Sequence, residues 1–159
     1  MNLTIRAATP ADAEVIAGFN AAMARETEHL ELDGARLLAG VRSILGDASR
    51  GVYWLAEAGN SVVGQMMITY EWSDWRNGTF WWIQSVYVDR GWRCRGVFRG
   101  LYEHVLARAR AEPGVCGVRL YVENENVHAQ RTYERLGMQR TQYQLFEVDF
   151  VIPRQPAQG

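Results

Sequence analysis

The sequence predicts a single α/β domain built on a mixed, mostly antiparallel sheet with about four helices. Three observations predict it. A chain of 159 residues has the length of one domain and leaves no room for an ordinary second, and folding would bury around 69% of its extended surface, enough for an independent core. The first half holds β-rich runs joined by short turn signals, the mark of an antiparallel meander. The second half alternates strand, helix, strand and helix, an order that makes consecutive strands parallel.

Leu3 to Ala7 alternates Leu, Ile and Ala with Thr and Arg, as a short first strand would. A helix start follows, with Thr9 as N-cap, Pro10 at the first position and Asp12 three residues after the cap. Val15, Ile16, Phe19, Ala22 and Met23 recur at helical spacing, and Leu37, Leu38, Val41, Ile44 and Leu45 do so again beyond Asp33-Gly34. Two amphipathic helices in succession are expected. Gly51 to Ala58 and Val62 to Tyr70 read as strands joined by Gly59-Asn60-Ser61, and Phe80 to Val88 as a third, entered through Asn77-Gly78. An Arg/Gly-rich loop from Asp89 to Gly96 leads into a helix marked by Val97, Leu101, Val105 and Ala109. Pro113-Gly114 ends it, Val115 to Val122 reads as a strand, Asn126 to Leu136 as a helix, and Gly137 as its C-cap. Gln142 to Ile152 alternates Phe146, Val148, Phe150 and Ile152 with polar or opposite-face residues and predicts a final strand. The domain is expected over residues 1–152, with 153–159 as a disordered tail.

Composition narrows the function. With 48% hydrophobic residues, 22% charged and a net charge of -1, nothing favours generic binding to nucleic acid or an anionic membrane. All 17 basic residues are arginine, so a Walker A lysine, a Schiff-base lysine and every lysine nucleophile are excluded. Cys94 and Cys116 form no disulfide framework and no ligand pattern. The start carries Arg6 and no apolar signal region, and no run reaches the ~18 apolar residues of a membrane span. A cytoplasmic protein with reduced thiols is the expectation.

Arg90, Arg93, Arg95 and Arg99 cluster with Gly91, Gly96 and Gly100 where a helix is expected to begin. Unpaired N–H groups and partial positive charge at a helix start make an anion cradle. The run is neither a P-loop nor G-x-G-x-x-G.

Val86-Tyr87-Val88-Asp89 followed by Arg93-Cys94-Arg95-Gly96-Val97-Phe98 resembles the R/Q-x-x-G-x-G/A motif of the GNAT superfamily of acyl-CoA N-acyltransferases, departing from it at Phe98. Asn126 to Tyr133, with Leu136-Gly137-Met138, is similar to the N-x-x-A-x-x-x-Y-x-x-x-G-[FM] segment of the same family. At about 100° per residue Tyr133 returns to within ~20° of the Asn126 face. The likeness covers about Leu3 to Phe150.

The resemblance implies a GNAT-like fold with parallel strands four and five splayed apart, and acetyl-CoA as cosubstrate. Main-chain amides of Arg93, Cys94, Arg95, Gly96, Val97, Phe98 and Arg99 would hold the pyrophosphate, and Val86, Tyr87 and Val88 the pantetheine arm, with Asn126 and Tyr133 facing the ligand. Tyr133 would protonate the departing thiolate or hydrogen-bond the sulfur. An attacking amine of pKa near 10.4 is only about 0.1% neutral at pH 7, so a proton acceptor is needed. The strand-four Glu that serves in many relatives is matched here by Gln84, which cannot accept a proton. Glu71 is the first substitute, through water, with Glu123 and Glu28 behind it.

The expected activity is transfer of acetyl to a primary amine of a small molecule or peptide, by direct attack in a ternary complex. The alternatives are a non-catalytic acyl-CoA sensor, favoured by Gln84, and a nucleotide-phosphate binding domain, favoured by the Arg/Gly loop alone. A Cys94 nucleophile at the helix start lacks a neighbouring base. His29, His104 and His128 have no paired-ligand spacing, and Glu123, Glu125 and Asn126 lack the frame of a calcium loop, so no metal is expected. Trp72, Trp75, Trp81 and Trp82 either cover the sheet or, with Glu71 and Asp74, rim a site for a cationic acceptor. An edge strand would allow a homodimer.

Overall fold

In the computed structural model, residues 2–153 are described. They divide between two compact units, residues 1–120 and residues 121–159. Of the expected tail, all but Pro153 lies outside the described residues.

The first unit carries strands β1 (Leu3–Ala7), β2 (Val52–Ala58), β3 (Ser61–Ser73), β4 (Gly78–Val88) and β5 (Val115–Arg119) and helices α1 (Ala13–Glu28), α2 (Gly34–Leu45) and α3 (Val97–Ala111). One sheet contains all five strands in the order β1-β2-β3-β4-β5. Every pair is antiparallel except β4 with β5, which is parallel. The mixed sheet and its single parallel pair agree with the expected architecture. Turn signals placed the hairpins correctly but underestimated β3, which runs on through Trp72 to Ser73, and β4, which begins two residues earlier at Gly78.

Local chemistry explains the ends. A 3-10 turn over Pro10–Asp12 precedes α1. There the Thr9 N–H donates to Asp12 Oδ2 at 2.7 Å, and Arg6 bridges Asp12 (2.8 Å) and Glu57 (2.7 Å), locking β1, β2 and the helix entry together. Asp33 Oδ1 accepts from the Arg36 N–H at 2.7 Å and starts α2.

Both faces of the sheet are covered, so Tyr53–Ala56 and Val63–Met66 are buried without a break, where a half-exposed strand would alternate. Ala13, Ile16 and Val41 from α1 and α2 pack on Tyr53 and Leu55. Trp54 points the other way and meets the His104 ring of α3 at 4.6 Å. Val97, Leu101, Val105 and Ala109, spaced by four, are the buried stripe of α3. Close seating of that helix depends on Gly64, where a Cβ would lie 2.8 Å from Val97 Cγ1.

The second unit carries helix α4 (Val127–Arg135). Asn126 Oδ1 accepts from the Ala129 N–H at 3.1 Å and caps its start. At its end Met138 N–H bonds Tyr133 O and Gly137 N–H bonds Glu134 O, both at 3.0 Å. With Gly137 at φ +91°, this is the left-handed cap expected of that glycine.

The final strand expected over Gln142 to Ile152 is not formed. At its end two amides are taken locally: Asp149 Oδ1 accepts from Val151 N–H at 2.8 Å and Ile152 N–H at 2.7 Å. Side chains that bond nearby amides compete with a ladder, and alternation specifies a face without supplying a partner.

Candidate active site

The parallel β4–β5 ladder runs from Thr79↔Val115 to Trp82↔Arg119 and stops. Strand β4 continues to Val88, so from Ile83 onward its edge has no strand partner on the β5 side among the described residues. An interruption falls within that stretch. Tyr87 pairs with Gln65 and Gln84 with Met67, which leaves Ser85 and Val86 together opposite Met66. Ser85 adopts φ +47°, unusual outside glycine. This bulge re-aims the backbone of β4 just beyond the end of its parallel partner.

Buried side chains hold the bulge. Gln65 Nε2 donates to Ser85 O at 3.1 Å and to Asn20 Oδ1 at 2.7 Å. Asn20 Nδ2 in turn donates to the Tyr53 hydroxyl at 3.0 Å. The chain ties α1, β2 and β3 to β4. Gln84 donates through Nε2 to Thr69 Oγ1 at 2.5 Å.

Beyond Val88 the Asp89 N–H still reaches Val63 O, and Asp89 then accepts from the amides of Trp92 and Gly91. A 3-10 turn over Arg90–Trp92 carries the chain to Gly96 at φ +81°, the conformation that favours glycine. Gly96 is the N-cap of α3 and offers no capping side chain. Amides of the first helical turn, from Val97 on, are therefore available for an anion. The exposed Cys94 sits in this loop at φ +59°.

The four arginines of the loop and the first turn of α3 divide into groups. Arg90 Nε (2.9 Å) and Arg93 Nη2 (2.6 Å) both bind the Glu26 carboxylate on α1, which also accepts from the Tyr87 hydroxyl at 2.9 Å. Arg93 Nε donates to Val88 O at 3.0 Å, and its guanidinium lies over the Tyr87 ring. Arg99 pairs with Glu103 one helical turn on. Arg95 lies over the Trp92 ring and makes no ion pair among the described residues. Bonding to Arg93 holds the Glu26 carboxyl well below its ordinary range, at about 2. A groove of about 430 Å³, lined by Ala22, Arg25, Glu26, Tyr87 and Arg90, opens beside this cluster.

Glu71 lies opposite Phe80 in the β3–β4 register and accepts from Arg119 Nη1 at 2.8 Å. Four β4 residues, roughly 13 Å, separate that level from Gln84. Glu28 is exposed near the end of α1, and Glu123 Oε2 accepts from the Glu125 N–H ahead of α4. Trp72 and Trp75 are exposed, while Trp81 and Trp82 are half-buried on the sheet. Burial raises the Tyr133 phenol above its ordinary value, so at neutral pH it keeps its proton.

Sequence reading missed Glu26 and the Gln65 chain. Both contacts join residues tens of positions apart, and neither belongs to a local motif. Among the described residues no group of three or more His, Cys, Asp or Glu could hold a metal, and no helix is long and apolar enough to cross a membrane.

Residues 17–138 match the model of the acetyltransferase (GNAT) family. A possible acetyltransferase from Clostridium difficile 630 is 43% identical, with 96% of this chain and 100% of that one covered and a TM-score of 0.88. A GCN5-related N-acetyltransferase from Ralstonia eutropha JMP134 is 22% identical over 92% of this chain and 99% of that one, with a TM-score of 0.73. A predicted acetyltransferase with acetyl-CoA from Clostridium acetobutylicum is 17% identical over 93% and 96%, with a TM-score of 0.75. No curated protein matches the chain.

Proposed function

The chain belongs to the acetyltransferase (GNAT) family, and from that premise we propose that it transfers acetyl from acetyl-CoA to a primary amine by direct attack. One observation carries the reading: an unladdered edge of β4 leads directly into a loop and an uncapped helix start. That succession supplies extended backbone for an amide-bearing arm and free N–H groups for its diphosphate.

In this reading the amides of Val86, in the bulge, and Val88, beyond it, pair with the pantetheine arm. Those of Cys94 to Arg99 meet the diphosphate, with the Arg95 guanidinium beside them. The amine attacks the thioester carbonyl, the carbon–sulfur bond breaks, and the sulfur takes a proton from the Tyr133 hydroxyl. Asn126 orders the start of the helix that carries Tyr133. Glu71 receives the proton lost by the amine through intervening water, because ~13 Å of strand excludes direct transfer. The solved relative from Clostridium acetobutylicum, described with acetyl-CoA, supports the choice of carrier.

A second reading, an acyl-CoA sensor without chemistry, is favoured by Gln84, whose amide is bound to Thr69. Thermal unfolding with coenzyme A, acetyl-CoA and ATP, followed by thiol release with a panel of amines, tests both. Coenzyme A at 100 times its Kd should add about 2.7 kcal/mol of stability. Stabilisation by ATP alone would overturn both readings. Binding with no thiol release from any amine would leave the sensor.

A further inference from the structure

We infer that Glu26 is a positioning residue that sets the conformation of the coenzyme-A-holding loop, an inference that rests on the proposed acetyl-CoA reading. Its carboxylate, 19% exposed, gathers three donors from one stretch of chain: the hydroxyl of Tyr87 on β4 and the guanidiniums of Arg90 and Arg93 in the loop. Each contact spans more than sixty residues of sequence, so the bonds fix the loop to α1 and do not merely stiffen it locally. Tyr87 is itself anchored, its ring 5.0 Å from Phe19 of α1 and beneath the Arg93 guanidinium.

Two consequences follow for the cradle. Arg93 is held where its Nε closes on Val88 O, the last carbonyl of β4. This defines the exit angle of the chain toward Gly96 and the free amides of α3. Glu26 also consumes two of the three loop cations, so the diphosphate meets backbone N–H groups and Arg95 instead of a mobile cluster of guanidiniums. Arg90 and Arg93 are 75% and 43% exposed, and either ion pair alone would be weak. Convergence on one carboxylate gives the clamp its hold.

The test uses the full chain carrying Glu26→Gln, an isosteric change that removes the charge. Coenzyme A affinity is measured by calorimetry, and hydrogen exchange is followed at the Gly91 and Trp92 amides, both bonded to Asp89. The Kd is expected to rise between about three- and tenfold, with faster exchange at both amides and an unfolding midpoint within ~3 °C of the parent. Glu26→Asp, which keeps the charge but withdraws it by one methylene, should fall between. Should Glu26→Gln not fold, Tyr87→Phe removes one of the three bonds and should shift both readouts in the same direction by less. Unchanged affinity and exchange in the variants, with the parent binding coenzyme A, would overturn the inference alone. A parent that does not bind coenzyme A would overturn the reading beneath it and the inference with it.

Discussion

At the scale of single residues, identity and role separate. Gln84, the residue that the family resemblance sets at the position of a proton-accepting carboxylate, has its amide committed to Thr69. Proton removal and proton supply then fall to groups in different places. In the proposed reading Tyr133, whose phenol burial raises above its ordinary value, is the donor to the leaving sulfur. With an amine substrate in hand, Tyr133→Phe should lower kcat by about 10- to 1,000-fold with little change in acetyl-CoA affinity. Steady-state kinetics and calorimetry on the variant check it, and undiminished turnover would remove the role. Among these residues the sequence was readable where chemistry is local. Gly96 before an apolar stripe announces a helix start, and Gly137 after one announces its end. Glu26 was not readable, since nothing around it hints that its partners are Tyr87, Arg90 and Arg93.

At the scale of elements, strands and helices were readable from period and punctuation, and their terminations less so. The turn at Asn77-Gly78 located the β3–β4 hairpin, yet the bulge in β4 carries no glycine to announce it; Ser85 takes φ +47° because the Gln65 amide fixes its carbonyl. The alternating run after Gln142 looked like a strand because alternation records amphipathicity, while pairing depends on a neighbour elsewhere in the chain. Helix α3 illustrates how an element can be limited by the one beneath it. A methyl group at Gly64 would meet Val97 at 2.8 Å and the Tyr87 carbonyl at 3.2 Å. Gly64→Ala should therefore lift the first turn of α3 and cost about 1–3 kcal/mol, read from urea unfolding. Because that turn is the proposed anion cradle, coenzyme A binding should weaken alongside stability. An unaltered urea midpoint would show that the helix has slack.

At the scale of the molecule, two carboxylates link stability to acid. Asp12 is held near 2 against an ordinary 3.8, chiefly by its bond to Arg6. Glu26 is held near 2 against 4.5, chiefly by Arg93. Both folded values lie below the unfolded ones, so the unfolded chain takes up protons first as pH falls. Their contribution is complete above about pH 4.5 and is lost as pH drops toward about 2. The Asp12 side chain is only 11% exposed, and its share is of order 2 kcal/mol; that of Glu26 is smaller because its arginines are largely in water. Urea midpoints should begin to fall below about pH 6.5, because burial lowers the His104 imidazole, and fall further below about 5 as these carboxylates take up protons. Asp12→Asn should be less stable at neutral pH and shallower in its acid loss. A parallel acid profile for that variant would show that Asp12 does not carry the linkage.

The margin of β4 past Trp82, which has no strand partner on the β5 side among the described residues, has a cost as well as a use. Amides without a strand partner can be matched by another polypeptide as readily as by a ligand, and sheets ordinarily guard such borders with charge, proline or a covering loop. Here the guard would be the carrier molecule itself, laid along the strand like a borrowed neighbour. Each turnover would then uncover the margin briefly, and scarcity of the carrier would lengthen that interval, making the empty protein the form most prone to stick to unfolded chains.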